Sequence, residues 1–334
     1  MIKIEENIHG KNNSRVCTVN INSKKFLTPF YFPSITSAET RSDITSTINF
    51  ITSNNYSSIL VSCFDLFKLL KDNMPEIKKI NRFFQNGGII LLDSGEFEKY
   101  HFGVEWTFEQ FEEVVRNISS DFFTSFDKTS AGMEQNEIEA FSKINIPKSL
   151  KISKDNNCIV VCHGAKPSDV KDAVEKILKE NKNLQCLAVP ERECGSTLLE
   201  QCKIISDLRH AINEHNNQII LHILGSGNPI SISALSYAGA DTFDSVDWSR
   251  WGINPKTFEY DNIALVKLFN CTCVPCGKTQ VLDEKFRAWE HNLELYNYYL
   301  TRLRNAISKN QSLKGFLEDE NIDQSVILNL SKLF

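Results

Sequence analysis

No run of 18 or more apolar residues occurs in the 334-residue chain, so no helix that crosses a bilayer is expected. The opening residues, MIKIEENIHGKNN, lack the apolar centre of a secretory leader. Low-complexity linkers are missing too, and nothing repeats beyond an alternating strand–helix unit. These absences argue against a membrane protein, a secreted protein and a string of small domains, and the expected location is the cytoplasm. Ten cysteines are present, seven of them scattered, mostly within apolar runs, and three clustered at 271–276. That distribution fits a reducing compartment with one metal site better than a disulfide framework. Hydrophobic residues at 41% and charged residues at 24% supply a large core. The length suits a single α/β barrel with an insertion.

The net charge of -5 taken alone argues against a nucleic-acid partner. Charge is local, however. Segment 271–314 carries seven basic side chains against four acidic ones. A solvated helical face is the simpler account of that excess, and a phosphate-binding surface is the other.

Eight short apolar runs alternate with amphipathic helical stretches. They are FYFPSI (30–35), SILVSC (58–63), GIILLDS (88–94), DFFTSFD (121–127), CIVVCHG (158–164), QCLAVPE (185–191), QIILHILG (218–225) and DTFDSVD (241–247). Each is too short for a helix and rich in β-branched or aromatic residues. Nearly continuous apolar runs separated by helices indicate parallel strands buried on both faces. Eight such units predict a closed (β/α)8 barrel, with an open doubly wound sheet as the alternative. Residues 1–27 read as short polar strands forming an antiparallel β lid over the barrel floor, and 28–270 as the barrel body. Residues 271–312 read as a metal-binding segment with a long helix from about 282 to 308, and 313–334 as a helical tail.

Catalytic groups of such barrels sit where the strands end at their C-terminal side. The third run ends in Asp93-Ser94-Gly95, the fourth in Asp127, the fifth in His163-Gly164 and the sixth in Glu191. The eighth carries Asp244, with Asp247 just beyond it. Any single Asp after a strand is more often a helix cap, but several ionisable groups at one barrel mouth form a candidate active site. Paired carboxylates suit chemistry at a sugar carbon, one at the anomeric centre and one passing a proton to the leaving group. Glycoside hydrolysis, aldol-type chemistry and base exchange all fit that pattern.

Cys271-x-Cys273-x-x-Cys276 places three thiols on one tight loop, and His291 follows within a helical stretch. Three Cys and one His make a closed tetrahedral zinc site, which leaves no open position and is therefore structural. Such a zinc would clip the loop to the helix.

Several segments, in order along the chain, resemble the tRNA-guanine transglycosylases. LLDSGEF (91–97) is similar to their LTDSGGFQ, SDFFTSFDKT (120–129) to SDIxMxFDE, and LAVPE (187–191) to LAVGE. AGADTFDSV (238–246) is similar to GxDxFDxV, CTCVPC followed by EHNL to their zinc-ligand set, and TPFYFP (28–33) to TPxFMP. The resemblance covers nearly the whole chain. It implies a zinc-containing barrel that exchanges guanine for a 7-deazaguanine of the queuosine kind without cutting the strand. On that basis Asp244 would be the nucleophile at C1′, and Asp93 the general acid/base. Asp127 would bind the edge of the base, while Ser94, His163, Gly164, Leu187 (through its backbone) and Glu191 would belong to the substrate pocket. The resemblance also implies a flipped-out target nucleotide, phosphates resting on the zinc segment and a homodimer formed through that segment.

The sequence departs from the family in places. Glu96 stands for a glycine, Glu98 for a glutamine, His163 for a pocket glutamine, Gln185-Cys186 for Gly-Gly and Pro190 for a glycine. TFDSVDWSRWG lacks the PTR motif of bacterial members, the Cys276–His291 gap is shorter than theirs, and no RNA-binding extension is recognised. These departures bear on which base enters and which polymer is modified. The first reading is therefore exchange in tRNA, and the second the same exchange in DNA. A third is a non-catalytic partner subunit, which would be expected to lose one of the two aspartates. A sugar- or aldol-type enzyme leaves the cysteine cluster unexplained.

Overall fold

The computed structural model describes residues 2–38, 43–54, 56–153, 157–278 and 283–332, without the side chains of residues 6 and 7. The expected helix start at 282 and the last two residues of the expected tail lie outside these. Three strands come first, β1 (Lys3–His9), β2 (Arg15–Ile21) and β3 (Lys24–Leu27), in antiparallel order. The eight expected runs then all appear as strands. They are β4 (Phe30–Ile35), β5 (Ser58–Ser62), β6 (Ile89–Asp93), β7 (Phe122–Thr124), β8 (Cys158–Val161), β9 (Cys186–Pro190), β10 (Ile220–Leu224) and β11 (Thr242–Ser245). They form a closed parallel barrel in sequence order, with β11 paired to β4. The open-sheet alternative is thereby excluded.

Residue parity separates two cores, because successive strand residues point to opposite faces. Tyr31, Ile59, Ile90, Phe123, Val160, Leu187, Leu221 and Phe243 pack outward in the larger cluster that includes the helices. Phe32, Leu60, Leu91, Phe122, Ile159, Ala188 and Ile220 fill the barrel interior. The same inner cluster contains Ile2, just before the N-terminal sheet, and Ile4, Cys17, Val19, Ile21 and Phe26 within it. That sheet thus plugs the floor with an apolar face and is less polar than its sequence reads.

A buried charge cluster fastens the plug. Asp241 opens the turn into β11 and accepts from Arg15 Nε and Nη2, both at 2.8 Å. It also pairs with Arg209 Nη2 at 2.5 Å and accepts the Leu221 N–H at 2.8 Å. Burial would raise its pKa, but the two guanidiniums and these hydrogen bonds leave it below the ordinary carboxylate value.

Beyond the barrel, β12 (Trp251–Ile253) and β13 (Tyr260–Asn262) make a small antiparallel pair. A 25-residue helix, Glu284–Ser308, follows, capped by the Asp283 carboxylate on the Lys285 N–H. Two short helices, Leu313–Asp319 and Gln324–Leu330, end the chain. All ten cysteines are free, and the seven outside the 271–276 cluster are buried. Among the described residues no helix is long and apolar enough to cross a membrane.

Replacing Asp241 by Asn removes the countercharge of two buried guanidiniums, and the expected loss is about 3–5 kcal/mol of unfolding free energy. Urea denaturation of the D241N variant at neutral pH measures it. Because the folded-state pKa is depressed, the carboxylate's contribution is present at neutral pH and is lost only as the pH falls below the ordinary carboxylate range.

Candidate active site and metal-binding cluster

The C-terminal ends of the strands surround a cavity of about 500 Å³. Asp93, Ser94, Asp127, His163, Glu191, Asp244 and Asp247 all line it, so the ionisable groups expected at the mouth converge there. Leu187 does not line it. It sits mid-strand in β9, paired with Leu221 and Val160, with its side chain in the outward core. Gly164 is likewise outside the lining, and its N–H donates to Glu193 Oε2 at 3.0 Å. Cys186 belongs to the inner core beside the N-terminal plug, so that departure from the family does not touch the cavity.

Asp244 is buried and held by three donors. Ser34 Oγ donates to its Oδ2 at 2.7 Å, and the Gly225 N–H to its Oδ1 at 3.1 Å. His222 Nε2 lies 3.2 Å from the same Oδ1, while His222 Nδ1 meets Thr242 Oγ1 at 2.8 Å. Gly225 presents that N–H from a left-handed turn, φ 80°, which suits glycine.

Asp93 ends β6, where the cavity reaches its carboxylate. Its contacts are weak, Thr124 Oγ1 and the Gly95 N–H each at 3.4 Å. Burial first, then the nearby charges of Asp127, Glu98 and Asp244, push its pKa well above the ordinary value. The chain turns away at Gly95, φ 88°, where a Cβ would fall 2.8 Å from the Phe64 backbone nitrogen. The helix Glu96–Phe102 begins there and brings Glu96 and Glu98 to the cavity. Burial, with the Asp65 charge, raises Glu98 to about 7, although the Thr36 hydroxyl donates to its Oε1. Burial also raises Glu191 to about 7, despite a 3.1 Å hydrogen bond from Ser226 Oγ. The cavity therefore combines one well-solvated-by-protein carboxylate, Asp244, with carboxyls that readily keep a proton.

His163 is buried between two acids. Its Nε2 lies 2.8 Å from Asp127 Oδ2 and its Nδ1 2.8 Å from Glu193 Oε1. Asp127 Oδ1 is buried with no partner in the protein.

His222, Ser34 and Glu193 escaped the sequence reading. The first two lie inside apolar runs rather than at their ends. A lone His within QIILHILG, at the inward parity of Ile220, was the available signal. Glu193 sits in a short 3-10 turn beyond β9, where nothing marks it.

Cys271, Cys273, Cys276 and His291 come together as expected, their ligand atoms all within 4.8 Å of one another. The three Sγ atoms lie 3.6, 3.3 and 3.3 Å from His291 Nδ1. Those separations match ligands on the corners of one tetrahedron, which for zinc are about 3.5 Å apart. The other ring nitrogen, Nε2, donates to the Ile253 carbonyl at 2.9 Å, fixing the tautomer that leaves Nδ1 for a metal. The cluster can hold a metal ion.

The family model for queuine tRNA-ribosyltransferase matches residues 11–319. The chain belongs to that family. It is accordingly a pentosyltransferase of the guanine-transglycosylase type, acting on nucleic acid. No curated protein matches the chain.

Two outcomes follow from this geometry. Asp93→Asn removes a carboxyl whose ionisation the fold opposes. Its folded pKa is raised, so the parent loses stability as pH climbs past the unfolded value, and the variant does not. D93N is expected to be more stable than the parent at neutral pH, with the gap closing in acid, as thermal melts across pH would show. Chelation at neutral pH should raise amide exchange in 271–278 and 248–253 while the barrel strands stay protected. Equal exchange with and without chelator would argue against a bound metal.

Proposed function

We propose that this chain replaces guanine in a nucleic acid by a 7-deazaguanine through a covalent Asp244–sugar intermediate. The observation that carries the reading is the contrast between the two aspartates in one cavity. Asp244 is oriented by Ser34, His222 and Gly225, as a nucleophile requires. Asp93 has few hydrogen bonds and a raised pKa, as a general acid requires. The Asp244 carboxylate bonds to C1′ of the flipped nucleotide as the bond to guanine breaks, and Asp93 gives its proton to the departing base. The incoming base then returns a proton to Asp93, and its ring nitrogen takes C1′ from Asp244.

Asp127 offers its free Oδ1 to the donor edge of the base. Ser94 and Glu191 line the same cavity. We take the 271–291 metal to be a structural zinc, because three thiolates and an imidazole suit that ion and fill its coordination. Val274 of the zinc segment is 71% exposed, and Leu265 and Leu268 just before it are 37 and 77% exposed. Exposed apolar side chains on and beside the segment suit a homodimer formed through it. We place the enzyme in the cytoplasm, in keeping with ten cysteines of which none is in a disulfide. For the polymer we favour tRNA, with DNA as the alternative, since His163, Glu96 and Glu98 alter the base pocket.

Labelled guanine offered with tRNA and with duplex DNA in parallel should enter one of them, and entry into tRNA is expected. A denaturing gel should show an adduct with that polymer in the parent and none in Asp244→Asn. An adduct undiminished in D244N would falsify the nucleophile assignment.

A further inference from the structure

His163 stands at a family pocket position, yet both its ring nitrogens are already used. Nε2 contacts Asp127 Oδ2 and Nδ1 contacts Glu193 Oε1, each at 2.8 Å. Glu193 also accepts the Gly164 N–H at 3.0 Å and the Ser130 hydroxyl at 2.6 Å. With the Gly164 N–H and the Ser130 hydroxyl both donating to it, Glu193 serves as an acceptor, so His163 Nδ1 is a donor. The facing oxygen of Asp127 then sets the second nitrogen. A neutral ring has one N–H, and two carboxylates at hydrogen-bond distance call for two.

We propose that His163 is a permanent imidazolium, clamped between Asp127 and Glu193, that commits one oxygen of Asp127 and leaves the other alone to select a hydrogen-bond donor on the base. It is a positioning residue, with no ring nitrogen left to read the base itself. Glu193 is its anchor, reached through a turn that no motif marks. The unpartnered, buried Asp127 Oδ1 is the counterpart of that arrangement. A base presenting an acceptor there would face a carboxylate oxygen and be rejected.

The surroundings agree. Burial alone would lower the His163 pKa, but hydrogen bonds and charge from Asp127 and Glu193 raise it to about 10. Glu96 and Asp93 approach Asp127 from the end of β6. Glu191 and Arg192 line the cavity from the end of β9. On the outer side His163 floors a groove between the helices Gln135–Ile152 and Pro167–Glu180, where Glu139, Lys143, Asp172, Lys176 and Glu180 are the charged groups. None of these outer groups makes a described hydrogen bond or ion pair with the ring, so the two clamping acids dominate.

The proposal rests on the base-exchange reading for its purpose, but its test does not need turnover. Full-length protein labelled with 15N-histidine is titrated by NMR from about pH 6 to about pH 10, with His163 assigned by its loss in His163→Gln. Both ring nitrogens are expected at imidazolium shifts at about pH 8, where an ordinary histidine is neutral. In Glu193→Gln the midpoint should fall by about one to three pH units. A neutral His163 ring at about pH 8 in the parent overturns the proposal, whether or not E193Q folds. If exchange is measurable, kcat/KM for the base should lose its alkaline limb in H163Q and show it nearer neutrality in E193Q. An unmoved limb in a folded E193Q also overturns it. A protein that exchanges no base yet shows the imidazolium would refute the function and leave the clamp standing.

Discussion

The pairing of β11 with β4 is the contact on which the rest of the molecule depends. Without it the sheet is open, and Asp244 has no fixed relation to the first strand. The seam has only four registered pairs, Thr242–Phe30 to Ser245–Pro33, and side chains reinforce it. Tyr31 donates its hydroxyl to the Ser245 carbonyl at 2.9 Å, and Trp248 its indole N–H to the Ser34 carbonyl at 2.9 Å. Ser34 in turn donates to Asp244. The bonds that close the barrel therefore also orient the proposed nucleophile. At the other end of β11, Asp241 ties the same strand to Arg15 of the floor sheet and to Arg209 of the helix Leu198–His215. One four-residue strand is pinned below by a charge cluster and above by the site.

Crowding at the mouth is the second constraint. Asp93, Glu96, Glu98, Asp127, Glu191, Glu193, Asp244 and Asp247 share one cavity. Eight ionised carboxyls so close would repel strongly in a low dielectric. The fold relieves this unevenly. Asp244 receives three donors, and Asp127 receives an imidazole. Asp93, Glu98 and Glu191 instead hold protons more tightly. Differentiated carboxyls are what two-step transfer at a sugar carbon needs, and the division arises from where donors are placed rather than from residue type.

The barrel was legible in the sequence because its signal is repeated eight times and because buried parallel strands leave nearly unbroken apolar runs. Strand ends were legible for the same reason, so Asp93, Asp127, His163, Glu191 and Asp244 could be found before any coordinates. Residues inside runs were not. His222 and Ser34 depend on which face of the strand points inward and on which strands are neighbours, and those are tertiary facts. Leu187, expected to serve through its backbone, keeps its side chain in the outer core. The polar look of residues 1–27 concealed an apolar face, because alternation puts half of each strand in view of the floor.

The metal cluster joins the site through the long helix. Within one turn, Trp289 donates to the Ser249 carbonyl at 2.9 Å, His291 to the Ile253 carbonyl, and Asn292 to the Trp248 and Trp251 carbonyls. Asn292 Oδ1 also accepts the Ile253 N–H at 2.9 Å. All five contacts fall on residues 248–253, which begin four residues after Asp244. The helix thus grips the segment leaving the nucleophile, while His291, on the same turn, faces the three cysteines with its other nitrogen. A metal on the cluster would fix that turn from one side as the barrel fixes it from the other. Its contribution to catalysis would then be positional, through the segment that carries Trp248 onto Ser34 and so back to Asp244.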